Sequence, residues 1–310
     1  MNQRRYKHLF GPVNSRRLGR SLGVDLVGHK ICPIDCIYCE VGATTLKTLA
    51  RAEYESADEI LSELRDKLAE GVPIDYITLS GAGEPTLNSR LGEIIDAVKA
   101  MTSIPVAVLT NGNLLFDPQV RRELLRADLV LPSLDAGDEA TYLLMNRPCP
   151  EATFQRLIDG LRAFRADYPG QIRLEVLLVA GVNDSPEQVR KIRVLIDQIR
   201  PDAVDVNTVT RPPTESDARP VPPAKLAKLT AILGDKAHVI ASAAPAPAAE
   251  VTIDAQAVLD LLRRRPCTVE DLAAGLACDA AAIAPLAARL LQEGQVHLVS
   301  QDGKEYLVAG

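Results

Sequence analysis

The sequence predicts an α/β fold, with parallel strands curved around a polar interior and a smaller unit appended on the C-terminal side. Three observations carry that prediction. Six short apolar runs alternate with amphipathic segments between residues 20 and 240. One face of several of these runs bears charge. Composition then shifts abruptly at the alanine- and proline-rich stretch 241–250.

The strand-like runs are 22–27, 74–80, 106–110, 129–134, 172–179 and 204–209. Between them lie helical patterns. Ser56 and Glu59 form a capping box ahead of Ile60, Leu61, Leu64 and Leu68, which share one helix face. Leu87, Leu91, Ile94, Ile95 and Val98 repeat that spacing. Asp117-Pro118 and Ser185-Pro186 each join a capping residue to proline at the first helical position. Regular alternation of this kind argues for parallel strands with right-handed helical crossovers.

The run 172–179 shows what the strands enclose. Ile172, Leu174, Val176 and Leu178 make one apolar face, while Arg173 and Glu175 lie on the other. Asp25 opposes Val24 and Leu26, and Asp205 and Asn207 oppose Val204 and Val206. Parallel strands covered by helices on both faces are apolar on both. A barrel with a polar lumen accounts for the charged face better than a flat sheet does. In barrels, function gathers at the carboxyl ends of the strands.

The predicted domains are 1–240, a linker at 241–250, and 251–310. The last contains three short helical patterns, 255–264, 268–276 and 281–293. Two strands, 296–299 and 305–308, follow around Gln301-Asp302-Gly303. Three helices and a hairpin resemble a winged helix. From Glu250 onward nine acids face five bases, which argues against DNA binding. Packing on the barrel, or docking a partner, is the expected role.

The net charge of −6 excludes a chain built as a whole to lie on nucleic acid. Residues 1–24 differ, with Arg4, Arg5, Lys7, Arg16, Arg17 and Arg20 and no acid. That stretch suits an anionic ligand. The chain has no apolar run of 18 residues and no signal-peptide core at its start, so a cytoplasmic protein without a membrane span is expected. Thiols stay reduced in that compartment. The six cysteines therefore read as ligands, reactive thiols or core residues.

Three of them, Cys32, Cys36 and Cys39, follow the first strand with three- and two-residue gaps. Thiolates bind both zinc and iron–sulfur clusters. Three can hold three corners of a four-iron cluster and leave the fourth iron open. A structural zinc needs a fourth ligand, and His29 is the candidate. Other strand ends carry small and polar residues: Gly81, Gly83 and Glu84 after the second, and Thr110-Asn111-Gly112 after the third. Ser133 and Asp135 follow the fourth, and Val182 and Asn183 follow the fifth. Glycines at a strand end let backbone approach a ligand closely.

With these motifs the chain resembles the radical S-adenosylmethionine (SAM) superfamily. The cysteine spacing with Tyr38 before Cys39 looks like that family's cluster motif, and 81–85 looks like its methionine-binding loop. The resemblance implies a partial (β/α)6 barrel over roughly residues 20–240, a [4Fe-4S] cluster and S-adenosylmethionine. It implies reductive cleavage of that cofactor to a 5′-deoxyadenosyl radical, with flavodoxin or ferredoxin as electron donor. A closer resemblance is to Fe–S oxidoreductases related to wyosine-tRNA synthases, carried by 10–26, 80–87, 106–113, 129–136, Asn207-Thr208 and Arg211-Pro212-Pro213. Wyosine synthases carry a second cluster on upstream cysteines, and no cysteine precedes Cys32 here, so one cluster is expected.

The resemblance implies roles. Gly81, Gly83 and Glu84 would meet the methionine end of the cofactor, Ser133 and Asp135 its ribose, and Val182 and Asn183 its adenine. Asn111 joins the cofactor-binding set. Asp25, Glu175, Asn207 and Arg211 are lumen candidates. Arg16 and Arg17 are placed to clamp an anionic substrate, which could be a metabolite, a nucleotide or RNA. Cys149 could donate hydrogen to a substrate radical, or be an inert core thiol. Cys267 and Cys278 read as core residues of the small domain. The alternative function is a non-catalytic zinc or Fe–S sensor signalling through the C-terminal domain.

Overall fold

The structure, a computed structural model, describes residues 6–240, 255–276, 278–301 and 303–310. The linker expected at 241–250 lies outside them. Eight strands form one sheet in chain order. They are β1 (Leu9–Ser15), β2 (Gly19–Val24), β3 (Tyr76–Leu79), β4 (Val106–Thr110), β5 (Leu129–Pro132), β6 (Gln171–Leu178), β7 (Ala203–Thr208) and β8 (Ala237–Val239). β1 is antiparallel to β2, and every later neighbour is parallel. Helices α1 (Ala57–Ala69), α2 (Leu91–Met101), α3 (Pro118–Leu124), α4 (Glu139–Asn146), α5 (Phe154–Asp167), α6 (Pro186–Ile199) and α7 (Pro223–Leu233) make the crossovers. The result is the partial (β/α)6 barrel that the resemblance implied, built from the parallel strands and helical crossovers that the alternation predicted.

Each strand divides its residues as the pattern requires. Ile172, Leu174, Val176, Leu178, Val204 and Val206 join the core between sheet and helices, with Leu64, Ile95 and Phe164. Each buried side chain of this size contributes about 1.5–3 kcal/mol. The opposite face looks into the barrel. Its lower part is plugged by Leu18, Tyr76, Ala107, Leu109, Leu129 and Leu131. Along β6 and β7 it is polar, with Arg173, Glu175, Asp205 and Asn207.

The N-cap signals are realised, and of the box read at Ser56 and Glu59 the structure forms the Ser56 half. The side chains of Ser56, Asp117 and Ser185 accept the backbone N–H groups of Glu59, Gln119 and Gln188. Asp138 caps α4, accepting Thr141 N–H at 2.9 Å, and also accepts Gln188 Nε2 at 2.6 Å and Lys191 Nζ at 2.9 Å from α6. Burial alone would raise this carboxyl, but these donors hold it well below the usual aspartate range. Asp138→Ala should therefore cost about 1–2 kcal/mol at pH 7. A depressed carboxylate contributes above its unfolded pKa and loses that contribution as pH falls through the folded value. Urea unfolding of parent and variant should show the gap narrowing below about pH 4. An unchanged gap at pH 3 would show that the cap does not act as an anion.

The C-terminal module holds α8 (Ala255–Leu262), α9 (Val269–Gly275), α10 (Ala280–Gln292) and the antiparallel pair β9 (Val296–Gln301) and β10 (Lys304–Ala309). It packs on the barrel. Val13 of β1 is buried among Val258, Leu272 and Ile283, with Phe10 beside it. Tyr306 Oη donates to Thr210 O at 3.1 Å, beyond the end of β7. The module thus spans from the first strand of the open sheet to the loop near its other edge. Cys267 is fully buried inside it and Cys278 half-buried. Among the described residues no helix is long and apolar enough to cross a membrane.

Candidate metal and cofactor site

The segment after β2 is held against the loop after β3. Lys30 N–H donates to Ala82 O at 2.8 Å, and Glu84 N–H donates to Ile31 O at 3.0 Å. The cysteine and glycine motifs are therefore two sides of one structure. Ile31–Cys32 also pairs in parallel with Leu46–Lys47. Gly81 has φ +151°, and a Cβ there would fall 1.7 Å from Asp25 Oδ1. A Cβ at Gly83 would fall 2.4 Å from the Ile31 carbonyl oxygen. Only glycine allows this approach.

Cys32, Cys36 and Cys39 cluster with Ile34 and Tyr38. Two of the sulfurs receive an amide donor. Asn111 Nδ2 approaches Cys32 Sγ at 3.4 Å, and Asn146 Nδ2 approaches Cys36 Sγ at 3.4 Å. The buried Lys30 ammonium adds a positive charge beside the three cysteines. Burial pushes the Cys32 thiol up, and the Cys36 thiol up to about 12. Metal binding replaces the proton with a cation and leaves thiolates that these donors stabilise. Among the described residues no three His, Cys, Asp or Glu groups converge on one ion position, as a mononuclear zinc site requires. A four-iron cluster instead asks for thiolates at three separate corners. The donor set and the Lys30 charge fit an anionic cluster.

Glu84 ties the glycine loop to β4. Its carboxylate accepts Thr86 N at 3.1 Å, Thr86 Oγ1 at 2.6 Å, Thr110 Oγ1 at 2.6 Å and Asn111 N at 2.7 Å. Asp135 is equally buried, and burial lifts its carboxyl to about 6. It accepts Leu177 N at 2.9 Å, the Tyr38 hydroxyl, and Asn146 Nδ2 at 3.4 Å. Asn146 thus touches both the Cys36 sulfur and the Asp135 carboxylate.

The radical SAM superfamily profile matches residues 26–192. The chain belongs to the radical SAM superfamily. It is 37% identical over 294 residues to a Brachyspira hyodysenteriae protein named GTPase Obg, covering 94% of this chain and 43% of that one. It therefore spans less than half the length of that relative. A UPF0026 protein of Methanocaldococcus jannaschii is 33% identical over 228 residues, 73% of this chain and 71% of that protein. The crystal structure of a radical SAM methyltransferase from Sphaerobacter thermophilus shares the fold, with a TM-score of 0.54 and 19% identity over 71% of this chain and 65% of that one. The cofactors of this superfamily are a [4Fe-4S] cluster and S-adenosylmethionine. Such enzymes need an electron donor.

In this radical SAM barrel the remaining sequence-selected residues separate by surroundings. Among the described residues the half-buried Ser133 hydroxyl has no partner, and its backbone bridges to Glu175. Val182 packs with Ile37 and Tyr38. Asn183 spends its amide inside the loop, accepting Val179 N at 2.7 Å and donating to Asp135 O and Leu177 O at 2.8 Å. Cys149 is buried, its N–H bonded to Pro33 O at 2.8 Å, and burial raises its thiol.

Three ion pairs line the lumen. Arg17 pairs with Glu175, Arg173 with Asp205 at 2.7 Å, and Arg211 with Glu40 at 3.1 Å. Asn207 Nδ2 donates to Glu175 at 3.4 Å. Burial alone would raise the Glu175 carboxyl, but Arg17 holds it below its ordinary value. The two-arginine clamp expected at 16–17 is not formed, because Arg17 is already engaged by Glu175. Asp25, a lumen candidate by strand parity, instead contacts Ala82 and Arg264 of the C-terminal module. Sequence reasoning passed over Lys30, Asn146 and Arg264. Asn146 stands three residues before Cys149, and its amide was the available signal.

Proposed function

We propose that this radical SAM enzyme carries a single cluster on Cys32, Cys36 and Cys39 and acts on a small anionic molecule drawn into the barrel lumen. The observation that carries the first part is the pair of amide donors on the Cys32 and Cys36 sulfurs, with the buried Lys30 charge beside all three cysteines and the glycine loop packed against them. When bound, the cluster and S-adenosylmethionine supply reductive cleavage to methionine and a 5′-deoxyadenosyl radical that takes a hydrogen atom from the substrate. The chain's own residues bind and orient. Gly81, Gly83 and Glu84 shape the loop for the methionine end, with Asn111 beside it. The free Ser133 hydroxyl and Asp135 suit the ribose, and the apolar Val182 flank suits the adenine, with Asn183 fixing that loop. Glu175 and Arg211 position the substrate, and Cys149 stays an internal thiol. Flavodoxin or ferredoxin is the proposed electron donor. Anaerobic reconstitution tests the reading. A brown protein with about four irons per chain that releases 5′-deoxyadenosine on reduction supports it. Stoichiometric zinc without cofactor cleavage rejects it.

Arg16 supports an anionic substrate. Its guanidinium is half-buried between the Arg17–Glu175 and Arg211–Glu40 pairs, and among the described residues it makes no ion pair of its own. Burial and the Arg211 charge both act against it. An incoming carboxylate or phosphate relieves that cost. RNA is disfavoured because Lys7 and Arg20 are engaged by Glu55 and Asp75. Arg16→Gln should weaken binding of inorganic phosphate and of acetate by about tenfold in titration calorimetry, the worth of one charged hydrogen bond. Equal affinities in parent and variant, or steeply salt-dependent tRNA binding, would reject this substrate class.

A further inference from the structure

The C-terminal module reaches the glycine-rich loop through one buried carboxylate. Asp25 lies just past β2 and faces two ways. Its Oδ1 accepts Ala82 N–H at 2.8 Å. Its Oδ2 receives Arg264, with Nε at 3.2 Å and Nη2 at 3.0 Å. Arg264 follows α8, and its guanidinium also lies over the Phe10 ring, 4.2 Å from the centroid. Its Nη1 donates to Asp260 O at 2.7 Å, which fixes the plane of the group. The two side chains are only 13% and 11% exposed.

A carboxylate this deep is costly unless it is paired and hydrogen-bonded. Burial pushes the Asp25 carboxyl up, while Arg264 and the Ala82 amide oppose that shift. The loop is moulded on the result. Gly81 passes so close to Oδ1 that no Cβ fits, and the next amide is the one that bonds it. The backbone path of 81–84 therefore depends on where the carboxylate stands, and Arg264 determines where it stands.

We propose that the C-terminal module completes the cofactor site: Arg264, acting through Asp25, holds the 81–84 loop in the shape that receives S-adenosylmethionine. The inference rests on reading that loop as the methionine-binding element. Arg264 is then a positioning residue, and docking of the module and binding of the cofactor favour each other.

The test uses the full chain, with hydrogen exchange of the protein alone and calorimetric titration of the reconstituted protein with S-adenosylmethionine. Arg264→Met keeps the apolar stem over Phe10 and removes the charge. It should raise the dissociation constant about tenfold and speed exchange at the Ala82 amide. Arg264→Lys, whose ammonium can still meet Asp25, should recover most of the affinity. Tyr306→Phe, which loosens a different contact of the same module, should bind as the parent does. If Arg264→Met does not fold, Asp25→Asn with Arg264→Met leaves no unpaired buried carboxylate and should show the same weakened binding. Parent-like affinity and exchange in a folded Arg264 variant would overturn the coupling alone. A parent protein that does not bind S-adenosylmethionine would overturn the reading of the loop, and the coupling with it.

Discussion

Cys36→Ala is expected to purify folded and colourless, to hold well under four irons per chain after reconstitution, and to release no 5′-deoxyadenosine. The Cys36 sulfur is buried and meets Asn146 and little else that is polar. Removing one sulfur from such a site costs about 1 kcal/mol, a small part of the stability of a barrel this size. Far-UV circular dichroism should therefore match the parent. The metal site has no such margin. Two thiolates leave two irons of a cubane without protein ligands, and the neighbouring donors cannot replace a thiolate. Iron and acid-labile sulfide assays, the visible absorbance, and chromatography of the SAM products all read the outcome. Asn146→Ala separates the ligand from its support, because it keeps all three thiols and deletes the donor to one. It should still assemble a cluster, with a shifted reduction potential. A brown, SAM-cleaving Cys36→Ala protein would remove Cys36 from the ligand set.

Most of the barrel was legible because its strands obey a period of two and its helices one near 3.6. The run at 106–110 coincides with β4, and the others differ from β2, β3, β5, β6 and β7 by a few residues at their ends. β1 was missed. Its Gly11-Pro12 reads as a break, and an edge strand tolerates what a central strand cannot. β8 is only three residues long, too short to show a period. α4 was missed because it leaves Leu143 and Leu144 exposed, which blurs its apolar stripe. The lumen was inferred correctly from the charged face of β6, but its pairing was not. Parity places Asp25 on a strand face and says nothing about an arginine 239 residues away. Nor does spacing distinguish Arg16 from Arg17. That distinction needs the position of Glu175, which only the folded barrel supplies.

Glu84→Gln should be the most damaging isosteric change in the site, costing about 2–3 kcal/mol of stability and weakening SAM binding along with it. All four groups around the carboxylate act as donors, two of them hydroxyls and two backbone amides. The threonine hydroxyls can rotate and accept from an amide, but the backbone N–H groups cannot. They are divided between the two oxygens, with Thr86 N–H on Oε1 and Asn111 N–H on Oε2. Whichever way a glutamine amide is turned, its NH2 faces a backbone donor. One buried donor is left unpaired, and the two nitrogens repel. Only an acceptor at both positions satisfies the site, so it calls for a carboxylate. Burial leaves the carboxyl of Glu84 above its ordinary value although Thr110, Thr86 and Asn111 pull it back, and the variant decides whether it is ionised at pH 7. If the group carried a proton, one position would already be a donor, and glutamine would be tolerated. Urea unfolding at pH 7, with calorimetric SAM titration of the same preparations, reads both effects. A variant as stable as the parent would mean a protonated Glu84. A destabilised variant with a weakened cofactor site would mean that an ionised carboxylate ties the glycine loop to the end of β4.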